Sequence, residues 1–204
     1  DDRSAAGPII RFSLNDATGV ILSETGSRFY FRSREYVTPL LGLGNVSNCV
    51  AALTAAVRIG LAPEPMAAVL AQLAPEAGRM EPIRRGTLLL LNDTYNANPA
   101  SMKTALDYVA GLKRRRVLVL GDMKELGSES VAQHQAVGAY ARDRGDLVLT
   151  MGDESVHYQG RHFSEPDRLV DALIEDLTGH EVVLVKASRS LRFEKIVTEI
   201  LRRI

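Results

Sequence analysis

The sequence predicts an α/β protein: a doubly wound, mostly parallel sheet preceded by a smaller α+β piece. Three observations predict it. From Thr87 onward, short apolar runs alternate with longer stretches of helical period, the signature of βαβ units and of a sheet covered by helices on both faces. Three of these runs, ending at Asn92, Gly121 and Lys186, lead into a polar loop and then a helix. Their loops are expected on one edge of the sheet, where open parallel sheets bind ligands. Before Gly78 the pattern differs, with brief, partly alternating segments followed by two helical patterns.

Taken in order, Ile9–Leu14, Gly19–Ser23 and Arg28–Arg32 are short segments separated by NDATG and ETGS, and they read as an antiparallel meander. From Asn45, Val46, Cys49, Val50, Leu53, Ala56 and Val57 share one helical face, which ends at Gly60, a residue suited to a C-cap. A second helix starts near Pro63 and runs through Met66, Val69, Leu70 and Leu73. The stretch PEAGRMEPIRRG (Pro75–Gly86) is rich in proline, glycine and charge and reads as a linker or hinge. It divides the chain into residues 1–78 and 79–204. The first part, with no long buried strand, is expected not to close a core alone.

The second part reads as strands at Thr87–Asn92, Arg116–Gly121, Asp146–Thr150 and Glu181–Lys186. The helices alternating with them are Pro99–Leu112, Ser130–Arg144, Pro166–Leu177 and Ser190–Arg203. Pro99 suits the first position of its helix, with Asn98 as the cap.

Composition narrows the function. Of 204 residues 46% are hydrophobic and 25% charged, and Lys+Arg balance Asp+Glu at 25 each. That is ordinary globular usage, and nothing in it points to a nucleic-acid or membrane binder. The single cysteine, Cys49, falls in an apolar helical pattern and is compatible with a reducing compartment. The opening residues lack the order of a signal peptide and no apolar run reaches membrane-spanning length, so a cytoplasmic protein is expected. His157 and His162, near Asp153 and Glu154, have no zinc-ligand spacing and read as a solvated loop. No metal site is assigned. His134 lies on a helix, and a structural and a functional reading of it both stand.

The stretch NDTYNANPASM (Asn92–Met102) gathers Asp93, Asn92, Asn96 and Asn98 between a buried strand and a helix start. By pattern alone a ligand site and plain turn chemistry remain open. There is no G-x-x-x-x-G-K-[ST] and no G-x-G-x-x-G, and LGLGN (Leu41–Asn45) is only a weak glycine-rich echo.

Taken together, NDTYNANPASM, GDMKELG (Gly121–Gly127) with His134 and Val137–Gly138 after it, and VKASRSLRFE (Val185–Glu194) resemble the Mur ligases, specifically their D-alanyl-D-alanine-adding type. GNVSN (Gly44–Asn48) and GRME (Gly78–Glu81) resemble two further motifs of that family. The resemblance implies the tail of a central ATPase domain followed by a Rossmann-like carboxyl-terminal domain. The phosphate-binding loop and the domain that holds the UDP-sugar would lie outside these residues. It further implies an ATP- and Mg²⁺-dependent amide-bond ligase that adds D-alanyl-D-alanine to UDP-N-acetylmuramoyl-tripeptide in peptidoglycan precursor synthesis. Both cofactors would be held mainly by residues outside the chain, which is expected to be a monomer and not to turn over by itself.

Carried over residue by residue, Asn45, Asn48, Arg79, Asp93, Tyr95, Asn96, Asn98 and Pro99 would face the nucleotide, with Asp93 accepting from the ribose hydroxyls. Lys186, Ser188, Arg189 and Ser190 would hold the carboxylate of the dipeptide. Asp122 and Glu125 would meet its ammonium or cap the loop. No catalytic side chain is assigned. Two positions depart from the family's pattern: Gly44 stands where a histidine near the metal is usual, and Ala187 replaces a glycine, which is harmless if its φ is negative. Two other readings are a non-catalytic nucleotide- or partner-binding module, which Gly44 supports, and a folylpolyglutamate or cyanophycin synthetase relative, against which NDTYNANP argues.

Overall fold

The structure, a computed structural model, describes residues 9–204. Three antiparallel strands come first, β1 (Ala17–Ser23), β2 (Gly26–Phe31) and β3 (Arg34–Thr38), lying side by side in that order. Strand alternation turns Phe29, Phe31 and Tyr36 to one face. There they meet Val46, Val50 and Leu53 of α1 (Gly42–Arg58) and Met66 and Leu70 of α2 (Pro63–Ala71). This corrects the expectation that the first part closes no core: three aromatic side chains on one sheet face supply enough apolar area to seat two helices. The meander is also shifted. Residues 9–13 form no strand, and its third member is Arg34–Thr38, where Tyr36 is buried between exposed Glu35 and Val37.

The second part is a six-stranded sheet made of β4 (Glu81–Arg85), β5 (Leu88–Asp93), β6 (Arg116–Gly121), β7 (Leu147–Met151), β8 (Arg161–Phe163) and β9 (Val182–Lys186). Their spatial order is β4-β5-β9-β6-β7-β8, with β4 antiparallel to β5 and the other pairings parallel. Helices α3 (Pro99–Ala110) and α4 (Ser130–Arg142) cover one face, and α5 (Pro166–Asp176) and α6 (Glu194–Arg203) the other. The apolar strands follow from this. Leu89, Leu91, Leu118, Leu120, Val182 and Leu184 pack with α3 and α4, and Leu88, Leu90, Val117, Val119, Val183 and Val185 with α5 and α6. A strand buried on both faces reads as a continuous apolar run.

The linker candidate Pro75–Gly86 contains β4, an edge strand in which Pro82 stands opposite Leu91. Proline is tolerated at an edge, where its missing N–H faces away from the ladder. The last helix starts at Glu194, after a 3₁₀ turn at Arg189–Leu191 and a left-handed Arg192 (φ 53°). No helix among the described residues is long and apolar enough to cross a membrane.

Two acids, Glu24 half-buried and Glu181 buried, fix turns that matter to this arrangement. Glu24, in the β1–β2 turn, takes Arg114 at 2.5 and 2.8 Å and also pairs with Arg84, while the Tyr108 hydroxyl donates to the Ser23 carbonyl at 2.7 Å. Hydrogen bonding by Arg114 holds the Glu24 carboxyl below its ordinary range. These contacts clasp the small sheet to the large one and set α1 beside α3.

Glu181 secures the turn before β9. Burial alone would raise its carboxyl, but the Thr178 hydroxyl (2.6 Å) and the Thr178 and Gly179 N–H groups (2.8 and 2.9 Å) outweigh that and bring it down to about 2. A folded-state value below the unfolded 4.5 stabilises the fold above that pH, and the contribution is lost as pH falls toward 2. Glu181→Gln is therefore expected to cost roughly 2 kcal/mol at neutral pH. In urea unfolding at a series of pH values, its difference from the parent should shrink below about pH 4.5. A gap independent of pH would refute this account.

Candidate active site

The loops after β5, β6 and β9 leave the sheet on one rim because the three strands are parallel neighbours. Asp93 ends β5 opposite Lys186, which ends β9. The Lys186 Nζ donates to Asp93 Oδ2 at 2.6 Å and to the Asn96 carbonyl at 2.9 Å, and Asp93 Oδ1 accepts from the Met80 N–H at 3.0 Å. β4, β5 and β9 are thus tied together at the rim, with the Lys186 residue only 2% exposed.

A cleft of about 360 Å³ opens here between the rim and the start of α1. Asn45, Asn48, Arg79, Asp93, Tyr95, Asn96, Asn98 and Lys186 all line it. The Arg79 guanidinium lies 3.7 Å from the centre of the Tyr95 ring and pairs with Glu76 at 3.0 Å. Asn45 Nδ2 donates to the Leu41 carbonyl, and Asn96 Oδ1 accepts from the Ala97 N–H. Asn98 caps α3, accepting from the Ser101 N–H at 2.9 Å. Pro99 is the first residue of that helix and does not line the cleft. Asp93 has two of its roughly four acceptor sites in use, so it can still take hydroxyl donors. A carboxylate acceptor, amides, an aromatic face and a guanidinium suit a sugar-bearing, anionic ligand.

A second cleft of about 600 Å³ shares Tyr95, Asn96 and Asn98 with the first and adds Lys124, Glu125, Ser188, Arg189 and Ser190. Arg189 lies 5.9 Å from the Tyr95 ring. Ser188 Oγ accepts from the Lys124 N–H at 2.9 Å and donates to the Ala97 carbonyl at 3.3 Å, joining two rim loops. Glu125 adopts a left-handed backbone (φ 65°).

Two residues assigned to this side from sequence sit elsewhere. Lys186 turns into the first cleft to meet Asp93, because the register sets the two opposite each other. Asp122 is 1% exposed, and its carboxylate is consumed. It accepts from the Glu154 and Ser155 N–H groups at 3.1 and 2.8 Å and from Lys124 Nζ at 2.7 Å, while its carbonyl accepts from the Ser188 N–H at 3.0 Å. It ties the loops after β6, β7 and β9 together, the loop-capping role that the sequence left open for it, and the ammonium it meets is that of Lys124. The approach is so close that a Cβ on Gly152 would lie 2.2 Å from Asp122 Oδ1.

The open reading of His134 resolves as structural. Buried under the rim, it accepts from the Met123 N–H at Nε2 (3.0 Å), which puts the ring proton on Nδ1, 2.7 Å from the Ser130 carbonyl. Cys49 is buried and its thiol is pushed up to about 11, which leaves it inert at neutral pH. Lys124 escaped the sequence reading although it stands inside GDMKELG. Ala187 has no positive φ, so its departure from glycine carries no strain. At Gly44 an added Cβ would meet nothing closer than Thr104 Cγ2 at 4.0 Å. Among the described residues no group of three or more His, Cys, Asp and Glu side chains is placed to hold a metal ion.

The family model described as "Mur ligase, glutamate ligase domain" matches residues 78–189. UDP-N-acetylmuramoyl-tripeptide–D-alanyl-D-alanine ligase of Haemophilus influenzae is 38% identical over 80% of this chain and 38% of its own length. The Escherichia coli protein of that name is 36% identical over 89% of this chain and 43% of its length. The chain thus spans about two fifths of these relatives. Among solved structures, MurF from Acinetobacter baumannii superposes with a TM-score of 0.82 at 26% identity, covering 91% of this chain and 44% of that one. MurF of Thermotoga maritima, solved in complex with ADP, shares the fold with a TM-score of 0.82 at 23% identity, covering 92% of this chain and 47% of that one. With the family model covering more than half of the chain, and the rim loops built from the stretches that resemble the family's motifs, the chain belongs to the Mur ligase family.

Proposed function

We propose that this chain forms part of a cytoplasmic, ATP-dependent ligase that joins D-alanyl-D-alanine to UDP-N-acetylmuramoyl-tripeptide, in the synthesis of the peptidoglycan precursor. The observation that carries the proposal is the pair of adjoining clefts on one rim, which share Tyr95, Asn96 and Asn98. Amide ligation needs such an arrangement, in which an activated carboxylate and an amine are held side by side. In this chemistry ATP phosphorylates the carboxylate, the amine attacks the acyl phosphate, and phosphate leaves.

In this reading Asp93 accepts from the ribose hydroxyls, and Arg79 releases Tyr95 or Glu76 to reach ribose or phosphate oxygens. Asn45, Asn48, Tyr95, Asn96 and Asn98 shape the remaining wall. Ser188, Arg189 and Ser190 face the carboxylate of the dipeptide, and Glu125 its ammonium. Residues 1–78 act as the tail of the ATPase domain and 79–204 as the carboxyl-terminal domain, in a monomer. The first cleft does not suit a divalent cation by itself, since Asp93, the only acid among the described residues that line it, already faces an ammonium. Mg²⁺ would be held mainly by residues outside this chain.

In the full-length protein that carries these residues, phosphate release from ATP should require both UDP-N-acetylmuramoyl-tripeptide and D-alanyl-D-alanine. Gly44, in place of the usual histidine, favours a second reading, a module that binds nucleotide without ligating. A full-length protein that binds ATP but forms no amide bond would select that reading over the first.

A further inference from the structure

Building on the nucleotide reading of the first cleft, we propose that Lys186 is a positioning residue, whose ammonium holds Asp93 and the Asn96 carbonyl in the geometry that receives the sugar of the nucleotide. Several observations converge on it. The Lys186 side chain is 3% exposed and that of Asp93 14%, and a lysine so deeply buried is retained only where its charge is paired. Its two acceptors, Asp93 Oδ2 and Asn96 O, come from the end of β5 and from the loop that follows it. With Met80 N–H on the other oxygen, Asp93 is held at both ends and cannot rotate. The acceptor sites left on the carboxylate are then fixed in the cleft before any ligand arrives, which lowers the cost of binding.

The same contact separates Lys186 from the chemistry of the second cleft. Ser188, Arg189 and Ser190 line that cleft and Lys186 does not. Without the ammonium, Asp93 would keep the Met80 bond alone, and the Asn96 carbonyl would lose its donor.

The test compares the affinity of the full-length protein that carries these residues for ATP and for 2′,3′-dideoxy-ATP by titration calorimetry. The parent is expected to favour ATP by roughly tenfold or more, the equivalent of one or two charge-assisted hydrogen bonds. Lys186→Met should lose most of that ratio, binding the dideoxy analogue nearly as the parent does, and adding Asp93→Asn should reduce the ratio no further. Lys186→Gln, which keeps a neutral donor, should fall between them, and it serves if the methionine variant does not fold. In ligation assays the KM for ATP should rise more than the KM for D-alanyl-D-alanine. A folded Lys186→Met or Lys186→Gln protein that keeps the parental ratio, or whose defect is confined to the dipeptide KM, overturns the assignment. A parent that binds ATP and its dideoxy analogue equally overturns it too, while a parent that binds neither defeats the nucleotide reading itself and this assignment with it.

Discussion

Asp93→Ala should be damaging twice over. It leaves the Lys186 ammonium buried without its partner, which is expected to cost about 3 kcal/mol of folding stability. It also removes the proposed acceptor of the ribose hydroxyls, expected to weaken ATP binding on the order of a hundredfold. Urea unfolding measures the first effect and calorimetric titration the second. Asp93→Asn separates them, since the amide oxygen can still accept from Lys186 while the charge that strengthens a hydroxyl contact is gone. An Asp93→Ala protein with parental stability and parental affinity would remove the rim from consideration as a binding site.

Gly138→Ala is expected to have the largest purely structural effect. The added Cβ would lie 2.4 Å from Tyr158 Cα and 2.5 Å from its carbonyl oxygen, and these are backbone atoms that cannot turn aside. Tyr158 is itself fixed, fully buried with its hydroxyl on the Gly121 carbonyl at 3.1 Å and its ring 5.1 Å from that of His134. Helix α4 would have to shift, at an expected cost of about 3 kcal/mol, or roughly 6–12 °C in Tm for a chain of this size. Gly44→Ala is the control, a helical glycine with open space around it, expected to gain up to about 1 kcal/mol. If thermal unfolding showed equal shifts for the two alanines, steric closeness at Gly138 would not be the cause.

The parallel sheet was legible in the sequence because strands such as Leu88–Leu91 and Val182–Val185, buried on both faces, write continuous apolar runs. The strands that escaped lie at edges or have one open face. β4 carries Pro82 and exposed Arg84 and Arg85, β8 has only three residues, and in β3 a single aromatic sits among charges. The rim was legible for the same reason as the sheet, because parallel strands share a carboxyl end. What the sequence does not carry is the direction each polar side chain takes once it arrives there. Lys186 and Asp122 both reach the rim, yet register turns the first toward Asp93, and two backbone N–H groups with one ammonium fold the second inward. His134 stayed undecided because a buried imidazole and a working one look alike until their partners are known.

Tyr95, Asn96 and Asn98 form a wall that two chambers have in common. A guest that moves this partition from one side alters the room available on the other. Linkage makes any such influence mutual, so that whatever factor one guest applies to its neighbour's affinity is returned in equal measure. Communication between the two clefts would then need no distant relay, only three residues with a face toward each.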